Sequence, residues 1–142
     1  MPPKNFESKI IDFTHAIGLL LRRLRAATGA DEITMTESVV LGRLEKEGPA
    51  TTAELARAEG MKPQSMGATI ASLEEMALVE RKPHPTDGRQ LNIQLTSQGR
   101  ALRKNIGEAK HAWLTKLIAG LDKDEQETLF KAGEIIRRLV EK

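Results

Sequence analysis

The stretch "RKPHPTDGRQLNIQLTSQGR", residues 81–100, constrains the fold more than any other part of the chain. Leu91, Ile93 and Leu95 alternate with polar residues, which is the pattern of a strand with one buried face. A charged segment, "LVERK", precedes it as a partner strand, and Asp87-Gly88 between them predicts a tight primed turn with positive φ at its centre. Pro83 and Pro85 remove backbone donors from the arm, so it is stiff and shielded from pairing with another chain. Thr96 then stands where a helix begins. Whatever else the chain forms must accommodate one projecting strand pair whose tip carries Arg89.

The remainder reads as helices with marked starts. Ile10, Phe13, Ile17, Leu20, Leu21 and Leu24 recur at helical spacing and predict a first helix from about Phe6 to Ala27, stopped by Gly29. "TMTE" at 34–37 and "TTAE" at 51–54 are capping boxes, in which a Thr and a Glu three residues later satisfy each other's orphan backbone donors. They open a second helix carrying Val40, Leu41 and Leu44, and a short third helix ending near Gly60. Pro63 suits the first turn of a fourth helix, where its missing N–H costs nothing, and that helix is expected to run to about Ala77. Leu102, Ile106, Ala109, Trp113 and Leu117 mark a long fifth helix. "DKDE" at 122–125 opens a sixth with Leu129, Ile136, Leu139 and Val140. The expected fold is mainly α with a small β-hairpin wing, in the order helix, helix, helix, helix, strand, strand, helix, helix.

Residues 34–95 have the order of a winged helix-turn-helix, whose second motif helix enters the major groove of DNA. On the fourth helix, Met66, Ile70 and Leu73 fall in one sector and face a core. The opposite sector holds Gln64, Ala68 and Ala71, flanked by Ser65 and Ser72, with no acid until Glu74 and Glu75. Gln pairs bidentately with adenine, Ser bonds bases or phosphates, and Ala leaves room for a thymine methyl. Lys62 lies beside the free N–H groups of the helix start, a place suited to a phosphate. At the wing tip Arg89 fits a narrow minor groove, with Asp87 holding the guanidinium by a charge-assisted bond. Each of these residues also has a plain reading as solvated surface. Across residues 61–90, moreover, Lys62, Arg81, Lys82 and Arg89 are balanced by Glu74, Glu75, Glu80 and Asp87. Affinity for DNA must therefore come from where charges sit and from two subunits binding together.

Composition excludes other classes. The 142 residues contain no Cys, which rules out disulfides, thiolate metal sites and thiol redox switches. His15, His84 and His111 supply no close ligand pair, so no metal site is expected. No phosphate loop, nucleophile–base pair or convergent carboxylates point to an enzyme or to a cofactor. The longest apolar run, "AIGLLL", is too short to span a bilayer, and the amino end lacks the build of a secretion signal. A cytoplasmic protein is expected. The net charge of +2 leans only slightly towards an anionic partner.

The segment "MALVERKPHPTDGRQLNIQLTSQG", 76–99, closely resembles the wing of the MarR family of multiple-antibiotic-resistance regulators. That family carries Gly-Leu-Val-x-Arg, then Asp-x-Arg at the wing tip, then Leu-Thr-x-x-Gly opening the next helix. Here these stand as "ALVER" with Ala77 replacing the Gly, Asp87-Gly88-Arg89, and Leu95-Thr96-Ser97-Gln98-Gly99. "TTAELARAEGM" and the outer helices fit as well, so the resemblance covers nearly the whole chain. It implies a homodimeric transcription regulator of double-stranded DNA at a near-palindromic operator, usually a repressor released by a small-molecule effector. By the family pattern Arg89 is the minor-groove residue and the face of Gln64 and Ser65 reads the major groove. The fourth helix, with "SMGAT", lacks the Arg often found there.

These expectations give a single domain over 1–142. Residues 34–95 form its DNA-binding part; 1–30 and 96–142 form a helical part whose apolar stripes would intertwine with a second copy as a homodimer. The effector site is unknown, with His15 of the first helix the one candidate by its place near the expected pocket. The alternative is a winged helix used for protein contact without DNA binding, which the balanced charge of the head keeps open.

Overall fold

The computed structural model describes residues 5–141. Helix α1 (Phe6–Thr28) leads through a 3-10 turn (Ala30–Glu32) to α2 (Met35–Glu47). Strand β1 (Ala50–Thr51), α3 (Thr52–Ala58) and α4 (Pro63–Glu75) follow, then β2 (Val79–Pro83) and β3 (Leu91–Leu95). The long helices α5 (Ser97–Ala119) and α6 (Lys123–Val140) complete the chain. None of the described helices is long and apolar enough to cross a membrane.

The helix boundaries follow local chemistry. Gly29 ends α1 in the left-handed region at φ 75°, which costs a residue without Cβ little. Both capping boxes form: Thr34 and Thr51 accept from the backbone N–H of Glu37 and Glu54, whose carboxylates accept in return from the two cap N–H groups. Thr96 and Asp122 cap α5 and α6 in the simpler one-way manner.

Two expectations are corrected here. The strand pair is part of a three-stranded antiparallel sheet in the order β1-β3-β2, with Ala50 and Thr51 paired to Ile93 and Asn92. A two-residue strand carries no periodicity, and Thr51 advertises only its role as a helix cap. Helix α4 ends at Glu75 rather than near Ala77, because Ala77 turns left-handed at φ 60°. The Ala77 N–H donates to the Glu74 carbonyl and the Leu78 N–H to that of Leu73, the two bonds of a Schellman ending. An L-residue held there costs about 1–2 kcal/mol, the strain that a Gly would avoid.

The core lies between residues 33 and 95, where Val40, Leu41, Leu55, Met66, Ile70, Leu73 and Ile93 are fully buried. Side chains of this kind each contribute about 1.5–3 kcal/mol on burial. Helix α5 attaches to this core through half-buried Leu102, and Ile106 one turn on is also buried. Its first turn is clamped to the end of α4: the Thr96 hydroxyl donates to the Ala77 carbonyl at 2.6 Å and accepts from the Gly99 N–H at 3.0 Å. A Cβ on Gly99 would collide with the Leu78 carbonyl oxygen, so the glycine is what permits the two segments to touch. Helices α1 and α6 bury none of their residues within this chain.

Candidate nucleic-acid interface

Two elements of the head project from the core, the first turns of α4 and the loop that joins β2 to β3. Lys62 precedes α4 in an extended conformation, and Pro63 occupies the first position of the helix. Gln64, Ser65, Ala68 and Ala71 are exposed, whereas Met66, Ile70 and Leu73 on the opposite sector are fully buried. The helix is thus held by one face and offers the other. No acid lies in its first turn.

Ser72 has a different environment from its neighbours on that face. It is half-buried, and its hydroxyl donates to the Glu37 carboxylate at 2.7 Å. Glu37 is 6 % exposed and also accepts from the Thr34 N–H at 2.7 Å. Burial alone would push its carboxyl up, but the Thr34 N–H and the Ser72 and Thr34 hydroxyls outweigh it and hold the pKa below the ordinary value. The sequence shows Glu37 as half of a capping box; its bond to Ser72 joins residues 35 positions apart and has no local signature. Its effect is to fasten the start of α2 to the last turn of α4.

The charges of the head are partly paired. Glu74 pairs with Arg81 at 2.9 Å, and Glu80 accepts from the Gln94 amide at 2.8 Å. Lys62 and Lys82 enter no ion pair among the described residues and are exposed. The Glu74–Arg81 pair thus removes one acid and one cation together, and Glu75, like Lys62 and Lys82, stays exposed without an ion pair among the described residues.

At the wing, residues 84–90 form an open loop instead of the expected primed turn. Gly88 does not adopt a positive φ. The loop closes by a bond from the His84 N–H to the Gln90 carbonyl at 2.9 Å and another from the Gln90 N–H to the Asp87 carbonyl at 3.0 Å. Asp87 Oδ1 accepts from the Arg89 N–H at 3.1 Å and lies 3.4 Å from Arg89 Nε. The Arg89 side chain itself is 93 % exposed. His84 was not singled out by its sequence context; its ring lies inside the wing loop.

His15 is exposed on α1. It is not among the residues that line a cavity of about 210 Å³ between the end of α1, the end of α4 and α5, formed by Gly29, Glu32, Ile33, Met76, Leu78, Leu102 and Ile106. Among the described residues no cluster of three or more His, Asp and Glu could hold a metal ion.

An α-helical head with a three-stranded sheet, a helix docked by one face and a wing tipped by an exposed Arg defines the winged helix-turn-helix class of DNA-binding proteins. The profile of the MarR family matches residues 33–91. A helix-turn-helix type transcriptional regulator of Mycobacterium leprae is 33 % identical over 92 % of this chain and 91 % of its own length. A helix-turn-helix type transcriptional repressor of Mycobacterium bovis is 32 % identical over 79 % of this chain and 81 % of its own. The crystal structure of a transcriptional regulator protein from Pseudomonas aeruginosa superposes with a TM-score of 0.85 at 29 % identity, covering 99 % of both chains. The chain belongs to the MarR family. It is a transcriptional regulator with a DNA-binding winged helix, and not an enzyme.

Proposed function

We propose that the protein is a dimeric repressor that reads a near-palindromic operator and releases it when a small molecule binds. The observation that carries the reading of DNA is the two-sided α4, with Gln64, Ser65 and Ala68 exposed opposite fully buried Met66, Ile70 and Leu73. In this reading Gln64, Ser65 and Ala68 meet base edges, Lys62 binds a phosphate, and Arg89, steadied by Asp87, enters the minor groove. Ser72 contributes through Glu37, by holding α4 in place.

Dimer formation is supported by the outer helices, whose exposed Phe13, Leu20, Leu129, Phe130, Ile136 and Leu139 need covering. Repression is supported by the Mycobacterium bovis relative. A site for the effector is supported by the cavity walled by Met76, Leu78, Leu102 and Ile106, whose lining suits a small, largely apolar molecule. A ligand there would press on the α4–β2 junction and so tilt the reading helix and wing together. The protein would act in the cytoplasm, where its DNA is.

The test is a salt titration of binding to the protein's own upstream promoter DNA against a scrambled duplex. Preference for the promoter, with affinity falling steeply as salt rises, is expected. Arg89→Ala should weaken that binding by about tenfold without changing the unfolding midpoint. Weak binding equal for both duplexes would overturn the operator reading and direct attention to a protein partner.

A further inference from the structure

The exposed guanidinium of Arg89 is steadied by Asp87 alone, so whatever fixes Asp87 also aims Arg89. Asp87 is fixed from inside the wing loop. The backbone N–H groups of Thr86 and Asp87 both point at Nδ1 of His84, each at 3.2 Å. The Thr86 hydroxyl oxygen lies 3.3 Å from the same nitrogen. Two N–H donors converging on Nδ1 leave the ring proton on Nε2 and make Nδ1 a pure acceptor. The neighbouring prolines explain why the side chain can do this. Pro85 has no N–H, so the first donors beyond His84 are those of Thr86 and Asp87. Pro85 also biases His84 towards extended backbone, which lets a side-chain acceptor reach forward over the turn.

We propose that His84 is a positioning residue for DNA binding: its Nδ1 shapes the wing loop, which sets Asp87, which aims Arg89. Two bonds in series carry the effect, and a third closes the loop at Asp87. The His84 ring accepts from the Asp87 N–H, the Asp87 carboxylate accepts from the Arg89 N–H, and the Asp87 carbonyl accepts from the Gln90 N–H to close the loop. The chemistry required at position 84 is an acceptor at the place of Nδ1, and neither the ring nor its second nitrogen takes part. An Asn side chain offers its carbonyl oxygen at nearly the same place, so Asn should substitute for His and Ala should not.

This inference rests on the reading of Arg89 as a groove contact, and the test separates the two. The full-length wild type, H84A, H84N, D87A, R89A and the double variant H84A/D87A are compared at one salt concentration. The probe is a duplex that the wild type enriches from a random pool. H84A is expected to lose about threefold to tenfold in affinity and H84N no more than about twofold, the scale of one or two hydrogen bonds. H84A should add nothing to D87A, because the two act in series. An H84A variant that binds like the wild type while R89A binds weakly would overturn the role of His84. In the free protein, NMR relaxation of the Arg89 Nε–Hε group should show greater motion in H84A than in wild type or H84N. If R89A binds DNA normally, the groove reading fails and this second measurement decides alone: unchanged motion in H84A would overturn the positioning role, and increased motion restored by Asn would uphold it.

Discussion

In the head, the apolar stripe of α4 is covered completely, with Met66, Ile70 and Leu73 fully buried among residues from α2, α3 and β3. In α1 and α6 stripes of the same helical spacing lie open: Phe13 is 51 % exposed, Phe130 59 % and Leu139 67 %. Periodicity alone does not separate the two cases. The head brings α2, α3, α4 and the sheet together over short connections, so each stripe finds a partner within residues 34–95. Helix α1 lies beside α5 and the 3-10 turn, and neither α1 nor α6 buries a residue within this chain. One half of the molecule covers its apolar residues with its own chain, and the other leaves them exposed.

That comparison can be broken most forcefully in the core. Leu41→Ala is expected to cost about 2–5 kcal/mol in urea unfolding, independent of protein concentration. Ile136→Ser should instead leave the head's own unfolding untouched and shift the concentration at which sedimentation reports a dimer. Equal dependence on concentration for both variants would mean that the head, too, needs a partner to fold.

A smaller effect is expected at Glu37. Its pKa is held below the ordinary value, so its contribution to stability is present above the unfolded-state pKa and is lost as pH falls through the folded one. Glu37→Gln should cost about 1 kcal/mol at neutral pH, and the deficit should shrink as the medium is acidified and the wild-type carboxylate takes up its proton. A deficit that stays constant with pH would show that the charge of Glu37 is irrelevant to the tie with Ser72. Glu54, which caps α3, shifts in the same direction through bonds from the Thr51 N–H and hydroxyl. Of similar size and opposite sign, Ala77→Gly should raise stability by about 1 kcal/mol through relief of the left-handed backbone. A loss of stability would show that Ala77 is not strained.

What the sequence revealed was whatever is written in neighbouring residues. The Thr34–Glu37 and Thr51–Glu54 boxes, the Thr96 and Asp122 caps and the buried sector of α4 all depend on partners within a few positions. The bond from Ser72 to Glu37 was hidden because its halves are brought together only by packing of α2 on α4. Strand β1 was hidden because two residues have no period. Asp87-Gly88 is a strong local signal for a primed turn, and the His84 ring overrides it by supplying an acceptor to the loop. For the candidate interface, exposure of Gln64, Ser65, Ala68 and Arg89 followed from helix phase and turn position. The second rank of residues, Glu37 and His84, became visible only when distant side chains were seen to meet.

The shortest element, β1, has a mechanical meaning. Ala50 and Thr51 are bonded to β3, the middle strand, and Thr51 is at the same time the cap of α3. A tug on the wing is therefore transmitted through β3 to the root of α3, so the hairpin behaves as a lever welded to the helix-turn-helix at its fulcrum. Bending the DNA against the wing tip would load that joint, and backbone amides at residues 92–93 should exchange with solvent far more slowly than those of residues 86–89.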